Sequence, residues 1–251
     1  MTIAAAPTPP EEIIELRRYR LRPGQRETLI DLFDAEFIVP QEAAGMRVIG
    51  QFRDLDDSES FTWFRGFPTM DARRQALADF YGGPVWQQHG PAANVTMVNS
   101  DNVLLLRPAY LGGGLPCLPR RSADSPAVIE VAVASLAPGG ETDFAAAFRA
   151  EAAPRLAALG AGLLGALVTE RSPNSFPRLP VREGESTFVW VAEFATSAAY
   201  DAHRARRTAD PLWRDTIFPA LDRRLWRPLE ILRLSPTRGS ALGSYASAIQ
   251  R

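Results

Sequence analysis

The chain carries one pattern twice. Ile14-Glu15-Leu16, Pro23-Gly24 and Phe33 return 115 positions later as Ile129-Glu130-Val131, Pro138-Gly139 and Phe148. The echo continues at shifted offsets: Ala44-Gly45 returns as Ala161-Gly162, and Phe61-x-Trp63 with Phe67 as Phe188-x-Trp190 with Phe194. Thr69 then returns as Thr196, and Pro84-x-Trp86 as Pro211-x-Trp213. A period this long is a whole small domain, so the 251 residues read as two copies of one fold. The first copy is expected over 12–108 and the second over 127–236, with a Gly-, Pro- and Arg-rich linker at 109–126. Residues 1–11 read as a flexible tail, and 237–251 as a small, polar C-terminal tail.

Within the first copy, Ile13 to Leu21 alternates as a strand does, and Pro23-Gly24 closes it with a turn. Leu29, Leu32, Phe33 and Phe37 recur at helical spacing, and the helix is expected to end before Pro40. Met46, Val48, Gly50 and Phe52 mark a second strand, and Phe61, Trp63, Arg65 and Phe67 one face of a third. Thr69 suits the N-cap of a helix over 70–81, stopped by Gly82-Gly83, and 103–107 reads as the last strand. The order is β-α-β-β-α-β, the ferredoxin-like arrangement, with helices on one sheet face. The other face must be buried, and the second copy is the available partner. The expected fold is therefore α+β: two tandem ferredoxin-like repeats packed as an intrachain α+β barrel with an internal two-fold.

The second copy holds an insertion of about ten residues between its second and third strands, over 172–184. It contains Asn174, Phe176, Arg178 and Arg182 among prolines, and reads either as a cap on a barrel end or as a lid over a substrate.

Composition excludes several chemistries. All 28 basic residues are arginine, which rules out a lysine Schiff base and the phosphate-gripping lysine of a P-loop. Cys117 is the single cysteine and lies in the linker, so no intrachain disulfide or thiolate cluster can form. The two histidines, His89 and His203, occupy non-equivalent places, so a three-histidine metal site is impossible within one chain and no metal is expected. A net charge of −1 gives no footprint for nucleic acid. No apolar run reaches the ~20 residues a bilayer requires, no signal sequence stands out, and a cytoplasmic location is expected.

Glu15-Leu16-Arg17 with Tyr19 before Pro23-Gly24, Trp63 in the third strand, Arg73/Arg74 in the second helix and Pro84-x-Trp86 after it together resemble the NIPSNAP family, within the dimeric α+β barrel superfamily. The resemblance spans both copies as tandem domains. The second copy departs from it where Arg17 and Tyr19 correspond to Ala132 and Ala134. It implies a barrel of the kind that hosts cofactor-independent oxygenases, decarboxylases, isomerases and cyclases acting on aromatic or polyketide-like substrates, and in some relatives heme.

The residues themselves point to the first copy. Glu15, Arg17 and Tyr19 share one strand face, and Trp63 and Arg65 share another on what should be a neighbouring strand. Arg17 and Arg65 can hold an anion, Tyr19 or Glu15 can move a proton, and Trp63 can stack; the alternative is an interior ion pair. A second cluster follows the second helix: Tyr81, Trp86, His89 and Asn94, with His89 as general acid or base and Asn94 as a carbonyl contact. In the second copy the candidates are Asn174, Arg178 and His203, the last also a conceivable heme ligand. Trp63, Trp190, Trp86 and Trp213 recur in both copies and therefore also suit the shared core.

Three readings stay open on these grounds: a metal-free enzyme of secondary metabolism with its pocket in the first repeat, a non-catalytic ligand-binding or scaffold protein, and a heme-binding barrel. The expected partner is a small-molecule ligand, and the linker arginines and the second-copy helix are candidate surfaces for a homo-oligomer.

Overall fold

Alternation sets the two faces of the first strand. In β1 (Ile13–Leu21) Ile14 and Leu16 point one way while Glu15, Arg17 and Tyr19 point the other, and both sides are buried. The strand lies between β3 (Ser60–Phe67) and β4 (Met97–Pro108), which sets Arg17 opposite Trp63 and Glu15 opposite Arg65. β2 (Arg47–Asp54) pairs with the far side of β3. The second repeat uses β5 (Val128–Ser135), β6 (Gly162–Thr169), β7 (Thr187–Phe194) and β8 (Glu230–Pro236) in the same way, with Ala132 opposite Trp190. The structure is a computed structural model that describes residues 13–120 and 124–243; the expected N-terminal tail and residues 244–251 of the C-terminal one lie outside the described residues.

Each repeat forms an antiparallel sheet, ordered β4-β1-β3-β2 in the first and β8-β5-β7-β6 in the second. The two sheets join along both edges, β2 with β8 and β4 with β6, and close one eight-stranded barrel. The lumen is filled by the inward residues of every strand, among them Ile14, Leu16, Phe64, Ile129, Val131, Val191 and Leu234. Leu115 from the linker and Leu242 beyond β8 join the same cluster. The barrel centre is thus a packed apolar core, and the chemistry-bearing face of β1 and β3 looks outward, toward the helices.

The helix expected to stop before Pro40 instead runs through residues 26–43, with its middle turn, Phe33–Phe37, widened to a π-turn. The same π-turn recurs at Phe148–Ala152 and at Trp213–Ile217, and in each case a proline follows inside the helix: Pro40, Pro154 and Pro219. A proline breaks an α-helix because it lacks the amide donor and its ring meets the carbonyl four residues back. One extra residue in the preceding turn moves that carbonyl away, so the helix continues.

A second departure is the helix Pro84–Thr96, which the sequence hides behind Pro84, Gly90 and Pro91. Pro84 is harmless at the first position, where no amide is needed. Gly90 makes room for a neighbour, since a Cβ there would fall 2.6 Å from the Trp86 ring. The preceding helix, Met70–Gly82, starts as expected at Thr69, whose hydroxyl accepts the Ala72 amide at 3.1 Å; Thr196 caps Ser197–Ala209 through Ala199 at the same distance.

Candidate functional site

The outward face of β1 and β3 carries a buried charge cluster. Glu15 accepts from Arg17 Nη1 at 2.8 Å, from Arg65 Nε at 2.7 Å and from Arg73 Nε at 2.6 Å. All four residues are at most 1% exposed. One carboxylate therefore meets three guanidiniums, a formal excess of two positive charges out of water. Burial pushes the Glu15 carboxyl up, but Arg65, Arg17 and Arg73 together outweigh it and hold the group well below the usual carboxylate range. Glu15 is the hub that fixes three arginines, and an acid held this firmly ionised is a poor proton acceptor, which corrects its expected role in proton transfer.

Two phenols connect this cluster to a cavity of about 30 Å³ lined by Tyr19, Gln41, Trp63, Tyr81, Trp86 and the rings of Phe33, Phe37 and Phe80. Tyr19 Oη accepts from Arg17 Nε at 2.9 Å, and Arg65 Nη1 reaches Gln41 Oε1 at 3.3 Å and Tyr81 Oη at 3.5 Å. The Arg65 guanidinium also lies 5.1 Å from the Trp63 ring centroid, and that of Arg17 5.7 Å from the same ring. Burial pushes the Tyr19 phenol up while Arg17 pulls it back, so the hydroxyl is neutral and keeps its proton to donate. Arg65 Nη2, Arg73 Nη2 and Trp63 Nε1 are buried without a protein partner.

The loop inserted in the second repeat covers this site in the first. Arg73 Nη1 donates to Asn174 Oδ1 and to Ser175 Oγ, each at 3.0 Å, and Ser175 Oγ donates to the Met70 carbonyl at 3.1 Å. Phe176 stacks on Tyr81 with centroids 6.2 Å apart and planes at 28°, and Leu179 packs against the same hydrophobic cluster. Asn174 also ties the loop together, donating to the carbonyl of Leu179 and accepting from the amide of Phe176.

Of the residues singled out from sequence, Glu15, Arg17, Tyr19, Trp63, Arg65, Tyr81 and Trp86 converge here, and Asn174 joins them from the other repeat. Others do not converge. His89 sits on the helix Pro84–Thr96, partly exposed, with Nε2 3.5 Å from Glu36, and it does not line the cavity. Asn94 and Arg178 are exposed. His203 is fully buried on the second-repeat helix, its Nδ1 3.1 Å from the Leu159 carbonyl and its ring packed on Phe194 at 4.9 Å. So enclosed a ring offers no open face for a porphyrin.

Arg73, named from the sequence only as part of the family resemblance, and Gln41, not singled out at all, also belong to the site. Arg73 lies on the buried stripe Arg73, Ala76, Leu77, Phe80, Tyr81, and this i, i+3, i+4, i+7, i+8 spacing is the signal that marks it as inward-facing despite its charge. Among the described residues no group of three His, Cys, Asp or Glu side chains converges as metal ligands, and no helix is long and apolar enough to cross a membrane.

The NIPSNAP family profile matches residues 14–110. No curated protein matches the sequence. Among solved structures, a candidate monooxygenase from Lactobacillus acidophilus NCFM aligns over 91% of this chain and 97% of its own at 15% identity and TM-score 0.56. An anthrone oxidase-like protein aligns over 93% and 96% at 14% identity and TM-score 0.60. A NIPSNAP family protein from Agrobacterium tumefaciens aligns over 38% of this chain and 91% of its own at 25% identity and TM-score 0.36. The two longer alignments show that this chain shares its fold with those two proteins. The strand face that carries Glu15, Arg17 and Tyr19 falls inside the segment that the NIPSNAP profile matches.

Proposed function

We propose that the chain is a small-molecule enzyme of the oxygenase, isomerase or cyclase kind, whose site is the helix-side cavity of the first repeat and whose substrate is an enolisable aromatic or polyketide-like compound. The observation that carries this reading is the buried excess of positive charge directly behind a cavity-lining phenol. Tyr19 accepts from Arg17 and so directs its own hydrogen elsewhere, toward an oxygen placed in the cavity. Negative charge that develops on that oxygen is favoured by Arg17 and Arg65 across a few ångströms of dry protein. An enolate is the species such a site stabilises, and an electron-rich aromatic enolate reacts with dioxygen without further help.

The resemblance in fold to an anthrone oxidase-like protein makes anthrone the first substrate to try. Anthrone and one O₂ give anthraquinone and one water, with the C–H carbon oxidised and the dioxygen reduced. Oxygen uptake by purified protein with anthrone is the measurement. Tyr19→Phe is expected to lower the rate at least about 100-fold, the usual scale of a lost proton-transfer group, while the fold is retained. Equal rates for Tyr19→Phe and wild type would sink the assignment.

A second reading, a ligand-binding protein without turnover, is favoured by one feature: Glu15 is held ionised and Tyr19 is pushed up, so neither titrates near neutrality as a base should. It expects saturable binding of aromatic ketones with no oxygen uptake.

A further inference from the structure

A cavity of about 30 Å³ holds a water or two, whereas a single benzene ring occupies a cavity of ~150 Å³. Any aromatic ligand must therefore displace something that now fills the site. The inserted loop is the element whose removal would leave the barrel and its helices intact, because it has no counterpart in the first repeat. It is held at its tip and, at its C-terminal end, by Arg182, whose amide donates to the Val103 carbonyl at 2.8 Å and whose Nη1 donates to Asn102 Oδ1 at 3.1 Å; its two ends border an open groove of about 350 Å³ with Leu105 and Thr169.

What the tip presents is informative. Asn174 Oδ1 and Ser175 Oγ, two neutral oxygens, sit together on Arg73 Nη1, and one residue later the Phe176 ring stacks on Tyr81. The other aromatic pairs described in the first repeat are tilted or edge-on, so this is the one ring laid flat against the site. Two oxygens on a guanidinium with a planar ring beside them is the layout of an aromatic carboxylate. Arg73 Nη2 has no protein partner, so once the loop lifts the guanidinium can offer two parallel N–H donors to both oxygens of a carboxylate. A carboxylate would also offset part of the buried positive excess, which neutral Asn174 and Ser175 do not.

We propose that the segment Asn174-Ser175-Phe176 of the second repeat is an internal stand-in for the ligand of the first, and that the ligand is an aromatic carboxylate that takes its place on Arg73 and Tyr81. The inference rests on reading the first-repeat cavity as a ligand site. Phe176 is then a specificity-determining residue: it excludes solvent and small acids, and yields to a planar ring that brings a negative charge.

The test uses 2-naphthoate as probe, with 2-naphthamide and acetate as controls, titrated against tryptophan fluorescence in the full chain. Phe176 is half-buried at a loop tip, so Phe176→Ala keeps the fold, and Phe176→Leu provides a milder variant. Phe176→Ala is expected to bind 2-naphthoate at least ten times more tightly than wild type, with the amide and acetate weaker in both. Bound 2-naphthoate is also expected to speed tryptic cleavage after exposed Arg178 in the wild type, because it lifts the loop. Equal affinity of wild type and both variants would overturn the stand-in while leaving the site reading intact. Slower cleavage after Arg178 would do the same. Failure of every protein to bind any aromatic acid, alongside undiminished oxygen uptake with anthrone, would overturn the carboxylate and leave the enzyme; failure of both would remove the site itself.

Discussion

The two repeats hold a carboxylate at the same place and treat it differently. Glu15 faces three arginines and sits behind two phenols. Glu130, equally buried, is met by Arg207 at 3.3 Å, and burial together with the neighbouring Glu130 pushes the Tyr200 phenol up to about 12. The positions that carry Arg17, Tyr19 and Arg65 are Ala132, Ala134 and Ala192 in the second repeat, as the register shows: Ala192 stands opposite Glu130 as Arg65 stands opposite Glu15. These alanines pack with Trp190 and Phe188 into an ordinary apolar core. One scaffold thus supports a charged, under-filled face in one half and a closed one in the other. The closed half has acquired the loop that covers its partner.

The comparison breaks most visibly at the two glutamates. Glu15→Gln leaves three buried guanidiniums without a carboxylate and is expected to destabilise the fold by about 3–5 kcal/mol, the scale of an orphaned buried charge. Glu130→Gln removes a single longer pair and is expected to lose only about 1 kcal/mol. Chemical denaturation of the two variants reads both values. Equal losses would mean that the excess charge around Glu15 is already compensated by something else.

Acid separates the halves a second time. Burial pulls the His203 imidazole below its ordinary value of 6.5, against the Leu159 carbonyl, so the folded state keeps it neutral. The unfolded chain takes up a proton that the folded one does not, and stability present above pH 6.5 is lost as the pH falls below it. The slope from this one group is at most about 1.4 kcal/mol per pH unit. His203→Ala, which installs the first-repeat residue Ala76, is expected to flatten stability between about pH 6.5 and 5. Glu15, held low, contributes stability that is complete above the ordinary carboxylate value of 4.5 and declines only below it. A slope that survives in His203→Ala would place the mid-range titration elsewhere.

The smallest effect tests the symmetry itself. Thr69→Ala and Thr196→Ala each remove one side-chain cap of the same length, and each is expected to cost about 1 kcal/mol in thermal or chemical unfolding. A clear inequality would show that one half contributes more to the cooperative unit than the other.

The strands and capped helices of both repeats were legible because alternation, helical spacing and Thr caps are local. Prolines misled in a regular way. Pro40 reads as a stop, yet it lies inside a helix behind a π-turn, and the helix Pro84–Thr96, with Pro91 inside it and Gly90 letting Trp86 fold back on it, was not expected. At the site, period two was enough to align Glu15, Arg17 and Tyr19. It could not say that these residues face helices and not the barrel lumen, because both faces of β1 are buried.

The sequence alone determined that one fold occurs twice, that each copy is β-α-β-β-α-β, and that polar residues survive on one copy only, since all of this follows from periods and offsets along the chain. The tertiary structure decided what those polar residues became. It brought Arg73 from a helix to Glu15, turned Glu15 from a proton carrier into an anchor, left His89 outside, and carried Asn174 and Phe176 from the second repeat onto the first. The contacts of Arg73 with Asn174 and Ser175 join residues about a hundred positions apart, and only the packing of the two repeats sets them side by side.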